Sequence, residues 1–344
     1  MKNYLFDVNK RVLLEEGTGM WCGNCPGGEV AIEHLEETMP DNIAVISVHN
    51  DDRLAYVDYD QYLALGAYPK GRVNRSATVS QPLYNPEEAM PGQEEIDYSL
   101  TSLTGDVTFK DFVLQELESG TEAEIEIGDV EVYTKNNVIR IPATVRFALN
   151  QTNVPYYIFT AVLEDGLAGT QTNYYSGINS KLLNWWTAQE GKVKWTYNNV
   201  ARGVDRSFDG VDGRVPKNVE AGVDYESECG IPMPESVRDE NNLHFVVALV
   251  DARTGRVVNT DVYHKDYTFV DQEYDSIDEI SADTTTYVRL TIEGGRVLVN
   301  GDANVQLYDL SGRSVRNGNL VGGIYIVRKT LENGNVYTAR VLVK

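Results

Sequence analysis

The sequence predicts a multidomain α+β chain: an α/β domain, then an antiparallel β-sandwich, then a small C-terminal β-sandwich. Three observations carry this reading. Strand-like and helix-like segments alternate over residues 1–120 around a Cys22-Gly23-Asn24-Cys25 motif. From Thr121 the apolar period switches from helical to alternating, with Ala123, Ile125 and Ile127 set against Glu122, Glu124 and Glu126. Beyond Arg296, short alternating runs are separated by Gly and Asn turns.

Each element of the first domain has a local reason. Residues 10–14 read as a short buried strand, followed by Glu15-Glu16 and a Gly17-Thr18-Gly19 loop. Ala31, Ile32, Leu35 and Met39 fall at helical spacing, and Pro40 supplies a stop. Residues 43–48 form an apolar run of strand length, and residues 56–66 place Tyr59, Tyr62, Leu63 and Gly66 on one helical side. Tyr68-Pro69 then precedes a strand over 71–75. An insertion is expected near 78–108, since residues 80–92 are rich in Pro, Glu and Asn. Residues 108–119 read as a last helix with Phe109, Phe112, Val113 and Leu117 on one face, Asp106 or Thr108 as N-cap and Gly120 as stop.

The second domain is expected over 121–268. Lys135-Asn136-Asn137 marks a hairpin between strands at 130–134 and 138–149. Residues 156–163 and 243–250 are further strands, and 252–256 turn into a strand over 257–263. A long insertion, 166–242, interrupts this sandwich. Residues 269–285 read as an acidic linker, with no Lys or Arg between Lys265 and Arg289. The third domain covers 286–344.

The Cys-x-x-Cys motif points to thiol–disulfide exchange. A helix opening at the motif puts Cys22 at its N-terminus, where free N–H groups and the helix dipole stabilise a thiolate. Such a thiol falls from an ordinary pKa of about 8.5 to about 7 or below. Cys25, one turn further in, is placed to resolve a mixed disulfide on Cys22. Gly27 and Gly28 weaken the first turns by about 1 kcal/mol each, so a late or frayed helix start is expected. Two other readings stand beside exchange. Half of a zinc site needs a second ligand pair, whereas Cys229 is solitary and His34, His49, His244 and His264 are scattered; no metal or other cofactor is expected. A purely structural disulfide is the second alternative.

The order of strand, Cys-x-x-Cys helix, strand, helix and a Pro just before a strand resembles the thioredoxin fold. The resemblance implies roles for six residues. Cys22 is the nucleophile, Cys25 the resolving thiol and Glu16 the buried acid that moves a proton between them. Pro69 is the cis-proline facing the disulfide, Tyr68 offers its backbone to an extended substrate, and Trp21 flanks the site. Protein thiols or disulfides are the implied partners. Glu15 is read as a strand-end charge facing water. Gly23-Asn24 departs from the usual Gly-Pro between the cysteines, a dipeptide that tunes redox potential. Residues 14–26, with Tyr68-Pro69 and Asn74-Arg75, resemble the 28-kDa outer-membrane-protein-related family of Bacteroidetes, a thioredoxin-like domain fused to β-rich domains. The C-terminal segment carries Tyr308-Asp309-Leu310-Ser311-Gly312-Arg313, Gly323-Ile324-Tyr325 and Val341-Leu342-Val343-Lys344. It resembles the sorting domain of type IX secretion, which implies an Ig-like sandwich and outer-membrane passage and leaves surface attachment open; a plain stabilising sandwich is the alternative.

Composition narrows the function classes. A chain of 344 residues has room for two or three domains. Its net charge of −22 argues against nucleic acid or an anionic membrane as partner. Residues 1–8 lack the apolar core of a signal peptide. The sorting-like C-terminus nevertheless implies a periplasmic, outer-membrane or surface protein whose leader is absent from this sequence. Tyr174, Tyr175, Trp185, Trp186, Trp195 and Tyr197 form an aromatic cluster in the long insertion. Such clusters stack on sugars or peptides, or cover a sheet edge, so a glycan or peptide partner at Trp185/Trp186 is an expectation. Asp205, Asp209 and Asp212 could hold calcium, without the order of an EF-hand. Cys229 reads as a buried small hydrophobe or a thiol that pairs with a partner. Asp275-Ser276-Ile277 and Asp283-Thr284-Thr285 resemble O-glycan acceptors. Two classes of function follow: an extracytoplasmic thiol–disulfide oxidoreductase, or a non-enzymatic surface binding or structural protein in which the Cys pair is a structural disulfide.

Overall fold

The computed structural model describes residues 4–84, 98–102, 107–264, 266–274, 290–293, 296–299, 304–309, 313–330 and 336–343. The chain divides into two units, Met1–Ser276 and Ile277–Lys344.

β1 (Val12–Thr18) is buried along its whole length and runs parallel to β2 (Ile43–His49), the two joined through α1 (Cys25–Thr38). α2 (Val57–Leu63) leads to a cis Tyr68–Pro69 peptide and to β3 (Lys70–Val73), antiparallel to β1. β4 (Ala77–Val79) folds back on β3. α3 (Phe109–Glu118) opens on a reciprocal cap between Thr108 and Asp111, and Gly120 follows it at φ 65°. Alternate strand residues serve opposite layers. Val12, Leu14, Ile43 and Val45 pack on α1 and α3, while Leu13, Ala44, Ile46 and Val48 pack on Tyr59 and Leu63 of α2.

β5 (Ala123–Ile127) and β6 (Glu131–Tyr133) both pair with β7 (Val138–Phe147), whose residues alternate between core and rim. β8 (Tyr156–Glu164) is followed by β9 (Leu167–Thr172), the short helix α4 (Asn184–Thr187), β10 (Lys192–Tyr197) and β11 (Val200–Val204). β9 and β10 pair as a separate two-stranded ribbon. β12 (Asp224–Pro232) pairs with β7, and β13 (Leu243–Asp251) with both β8 and β14 (Arg256–Tyr263). β15 (Thr268–Val270) lies parallel on β6.

The boundary expected at residues 120/121 does not divide the structure. One eight-stranded sheet runs β14-β13-β8-β11-β2-β1-β3-β4. β11 pairs in parallel with β2 at Val200 and Ser47, and so takes an edge of β2 that β1 leaves open. An open edge of a buried apolar sheet presents unpaired N–H and C=O groups; here a later strand satisfies them and brings β8 and β13 with it. The α2-side core continues across the junction through Phe159, Ala161, Leu163, Val246 and Ala248. Two sheets pack face to face in this part of the chain, one of them the eight-stranded sheet itself. A second sheet, β12-β7-β6-β15 with β5 on β7, packs on the other face of β8 and β13 through Val145, Phe147, Ile158, Phe245 and Leu249. The long segment 166–242 is therefore not external to the fold: it supplies β11 to one sheet and β12 to the other.

Phe269 and Val270 of the expected linker belong to β15 and residues 271–274 continue from it; the rest of the expected linker, with both O-glycan-like motifs, lies outside the described residues, as does most of 85–106. The second unit pairs β16 (Leu290–Glu293) with β17 (Arg296–Val299). A four-stranded sheet follows from β18 (Gln306–Tyr308), β19 (Ser314–Val315), β20 (Gly323–Thr330) and β21 (Val336–Val343), ordered β19-β18-β20-β21. Val297, Leu307, Tyr325, Val327, Val341 and Val343 form its core. Leu310, Ser311, Gly312 and Lys344 of the sorting-like motifs fall outside the described residues.

Candidate functional site

Cys22 and Cys25 form a disulfide with Cα atoms 5.4 Å apart. α1 begins at Cys25 with Asn24 as N-cap and Pro26 in the first turn, so Cys22 stands two residues ahead of the cap. The helix opens at Cys25 rather than at Cys22, yet it takes in Gly27 and Gly28 within its first turn, so the two glycines do not delay it. Both glycines are buried, and a Cβ would lie 2.6 Å from Tyr175 Oη at Gly27 and 2.7 Å from Glu16 Oε1 at Gly28. Glycine is used here for close approach, and packing outweighs the lost propensity.

Glu15 and Glu16 are neighbours on a central strand covered on both faces, so neither reaches water. Glu16 is fully buried, and neither of its carboxyl oxygens has a hydrogen-bond partner. Burial first, and the Glu29 charge second, push its pKa well above the ordinary range. It sits under Gly28, one helical turn beyond Cys25, beside Pro69. Glu15 corrects the reading of a charge facing water: it is 0% exposed. Arg75 donates to its two oxygens at 2.7 and 3.0 Å, and Tyr59 Oη donates at 2.7 Å. The Arg75 guanidinium also stacks over Phe159 at 4.5 Å and donates to Phe208 O at 2.7 Å.

The disulfide is covered. Cys22 is 4% exposed and Cys25 0%. Thr172 N donates to Met20 O at 2.8 Å and Tyr174 N to Gly23 O at 2.9 Å, so the end of β9 and the two residues after it are tied along the motif by backbone bonds. Gln171 Nε2 donates to Cys22 O at 2.7 Å and to Gly19 O at 3.3 Å, while its Oε1 accepts from Tyr197 Oη at 2.9 Å. A Cβ on Gly23 would meet the Tyr174 ring at 2.3 Å. Trp21 remains half-exposed, donates from Nε1 to Asn50 O at 2.9 Å, and meets the Tyr68 ring edge-on at 5.8 Å. Tyr68 Oη donates to Asp60, and Pro69 is buried. Cys22, Cys25, Glu16, Trp21, Tyr68 and Pro69 thus gather around one end of β1 and α1. Gln171 and its cover have no local sequence signal, because a Gln between two Thr on an alternating strand reads as solvent-facing.

The covering ribbon also carries the aromatic cluster. Trp185, Trp186 and Trp195 meet pairwise at 4.8, 5.3 and 4.6 Å between ring centroids. Trp186 is buried and Trp185 is 47% exposed. Trp185 and Trp195 line a cavity of about 1140 Å³ with Glu33, Arg53, Lys194 and Arg238 among its walls. A neighbouring cavity of about 410 Å³ shares Glu33, Trp185 and Trp195. Glu29, on α1, has its pKa pushed up to about 8 by burial first and by the Glu33 charge next. Tyr197, grouped with the tryptophans in sequence, is buried and serves Gln171 instead.

The acidic run does not converge. Asp205 is buried against Arg214, Asp209 accepts from Tyr62 Oη, and Asp212 accepts from Gly213 N. Cys229 is a free, buried thiol in the sandwich core, its pKa pushed up to about 11 mainly by desolvation. The histidines are not all scattered in space: His244 and His264 stack with centroids 4.5 Å apart.

The family model described as outer membrane protein Omp28 matches residues 57–262. That stretch holds the cover, Trp185, Trp186 and Trp195, Tyr68-Pro69, and β8 through all but the last residue of β14; Trp21 and the Cys pair precede it. Among solved structures, HBP35 of Porphyromonas gingivalis is similar at 18% identity and a TM-score of 0.49, with 98% of this chain and 99% of that one covered. A structural-genomics target from Agrobacterium tumefaciens is similar at 12% identity and a TM-score of 0.40, with 78% and 99% covered. No curated protein matches the chain in sequence.

Proposed function

The chain belongs to the outer membrane protein Omp28 family, an extracytoplasmic family of the outer membrane or cell surface, and from that premise we propose that it is a surface binding protein whose Cys22–Cys25 disulfide braces the binding lobe. One observation carries this reading: the segment that seals the disulfide is the base of the ribbon that builds the tryptophan-lined cavity. A link closing so short a loop stabilises by about 2 kcal/mol on chain-entropy grounds, and here it fixes the turn on which Gln171 and Thr172 rest. Trp185 offers an exposed ring face, and the mixed-charge rim offers hydrogen-bond partners, a combination suited to a glycan or a peptide. The experiment titrates oligosaccharides and short peptides while following tryptophan emission. Binding that disappears in Trp185→Ala supports the reading; binding by that variant equal to wild type, or no binding by either ligand class, removes it.

A second reading is favoured by Glu16, an unpartnered carboxyl buried beneath the motif. In this reading residues 1–120 supply a thioredoxin-like module that exchanges thiols and disulfides with protein partners. The reduced Cys22 thiolate attacks a substrate disulfide, forming a mixed disulfide and expelling one substrate thiolate. Cys25 then attacks Cys22 Sγ, restores the Cys22–Cys25 bond and expels the second thiolate. Glu16 accepts the Cys25 proton, and Trp21 and Tyr68 flank the approach once residues 171–174 lift away. Insulin reduction faster than dithiothreitol alone, abolished in Cys22→Ala, would establish this reading over the brace.

A further inference from the structure

The turn between β13 and β14 sets a register that pairs Phe245 with Tyr263. One step further along the same ladder puts His244 beside His264, and their rings stack at 4.5 Å with 23° between planes. On the other side of β13, Leu243 pairs with Glu164 at the end of β8, which brings Asp165 to the same place. One donor atom from each of Asp165, His244 and His264 lies within 4.8 Å of the other two.

His244 is the central group. It is 2% exposed; its Nδ1 faces Asp165 Oδ2 at 3.1 Å, and its Nε2 has no hydrogen-bond partner. A buried imidazole normally satisfies its nitrogens, so this one keeps a lone pair for another acceptor of electrons. Asp165 is already oriented. Its Oδ1 accepts from Asn199 N at 2.7 Å, and Asn199 Nδ2 donates in turn to Glu36 Oε1 at 2.8 Å. Such outer contacts are what holds a metal-binding carboxylate in place.

We propose that Asp165, His244 and His264 form a binding site for a divalent transition-metal ion, zinc above all. Two imidazoles and a carboxylate suit zinc, cobalt or nickel rather than calcium or magnesium. Metal–donor distances of about 2.0–2.2 Å draw the three donors closer than they stand here. The exposed ring of His264, beyond the end of β14, supplies that movement. Three protein ligands leave coordination positions open. Asp165 also lines the cavity bordered by Trp185, so an ion held there stands at the margin of that cavity.

The test uses the full chain, free of affinity tags and stripped of metal, with zinc chloride titrated against a chromophoric chelator near neutral pH. Wild type takes up one equivalent of zinc and melts at higher temperature with it. His264→Ala and Asp165→Asn each weaken binding by about tenfold or more. Both lie toward the surface, and His264→Gln provides a milder replacement if either melts early. Cobalt added to wild type gives visible d–d bands that His264→Ala lacks. No uptake by wild type, or zinc bound equally by wild type and folded variants, overturns the proposal.

Discussion

Replacing Gln171 by Ala tests whether the cover controls access to the disulfide. The side chain is 0% exposed and makes four hydrogen bonds, one to the adjoining Thr172 O and three that tie the cover to other segments: to Cys22 O, to Gly19 O and from Tyr197 Oη. Alanine removes these three bonds from the closed state, leaving Tyr197 Oη without its Gln171 acceptor and Gly19 O and Cys22 O with only their backbone donors, Cys22 N and Cys25 N, whereas water takes their place once residues 171–174 lift. At about 1 kcal/mol net for each buried neutral bond, opening becomes easier by about 3 kcal/mol, or about 150-fold in the open population. Reduction by dithiothreitol proceeds through the open form if the cover is the barrier. The assay adds dithiothreitol to folded protein, quenches with a maleimide at intervals and counts modified thiols by mass. Wild type reduces slowly, and Gln171→Ala reduces about a hundredfold faster while still folded. Equal rates in the two folded proteins would refute the reasoning, because the sulfurs would then be reached from another side, and the observation that carries the brace would lose its force.

Two further perturbations test the interior. Glu15→Gln leaves the buried Arg75 guanidinium without its counter-charge, and urea unfolding should show a loss of about 3–5 kcal/mol; a loss below about 1 kcal/mol would place the pair among weakly coupled surface bridges. Glu29 is raised from 4.5 to about 8 in the folded chain by burial and then by Glu33. Folding therefore favours its neutral form, and this contribution is complete below about pH 4.5 and is lost as pH rises through about 8. Urea midpoints should fall across that window, and Glu29→Gln should flatten the fall; an unchanged slope in the variant would remove Glu29 as its source.

Much of the local architecture was legible because its causes are local. Thr108 three residues ahead of Asp111, with Gly120 beyond, marks both ends of α3. The strict alternation after Thr121 and the Lys135-Asn136-Asn137 turn set out β5 to β7. The Cys pair was legible as a pair, but its burial was not, since the residues that cover it lie some 150 positions away. The same holds for Glu15, whose partner Arg75 approaches only when β3 is laid against β1. The His244–His264 pair stands between these cases: a hairpin register was implied by the turn at 252–256, but the approach of Asp165 needed β8 as a third strand.

By itself the sequence determined periodicities, caps, turns and the chemistry of Cys22-Gly23-Asn24-Cys25, because short-range sterics and hydrogen bonding fix them within a few residues. Only the tertiary structure decided that β11 would close the open edge of β2, fusing two expected domains into one sheet. It alone decided that Gln171 would seal the sulfurs and that Glu15 would be paired while Glu16 was left alone. Burial and charge pairing are properties of what lies opposite in space. Strand pairing across long sequence separations selects those neighbours, and no local pattern encodes them.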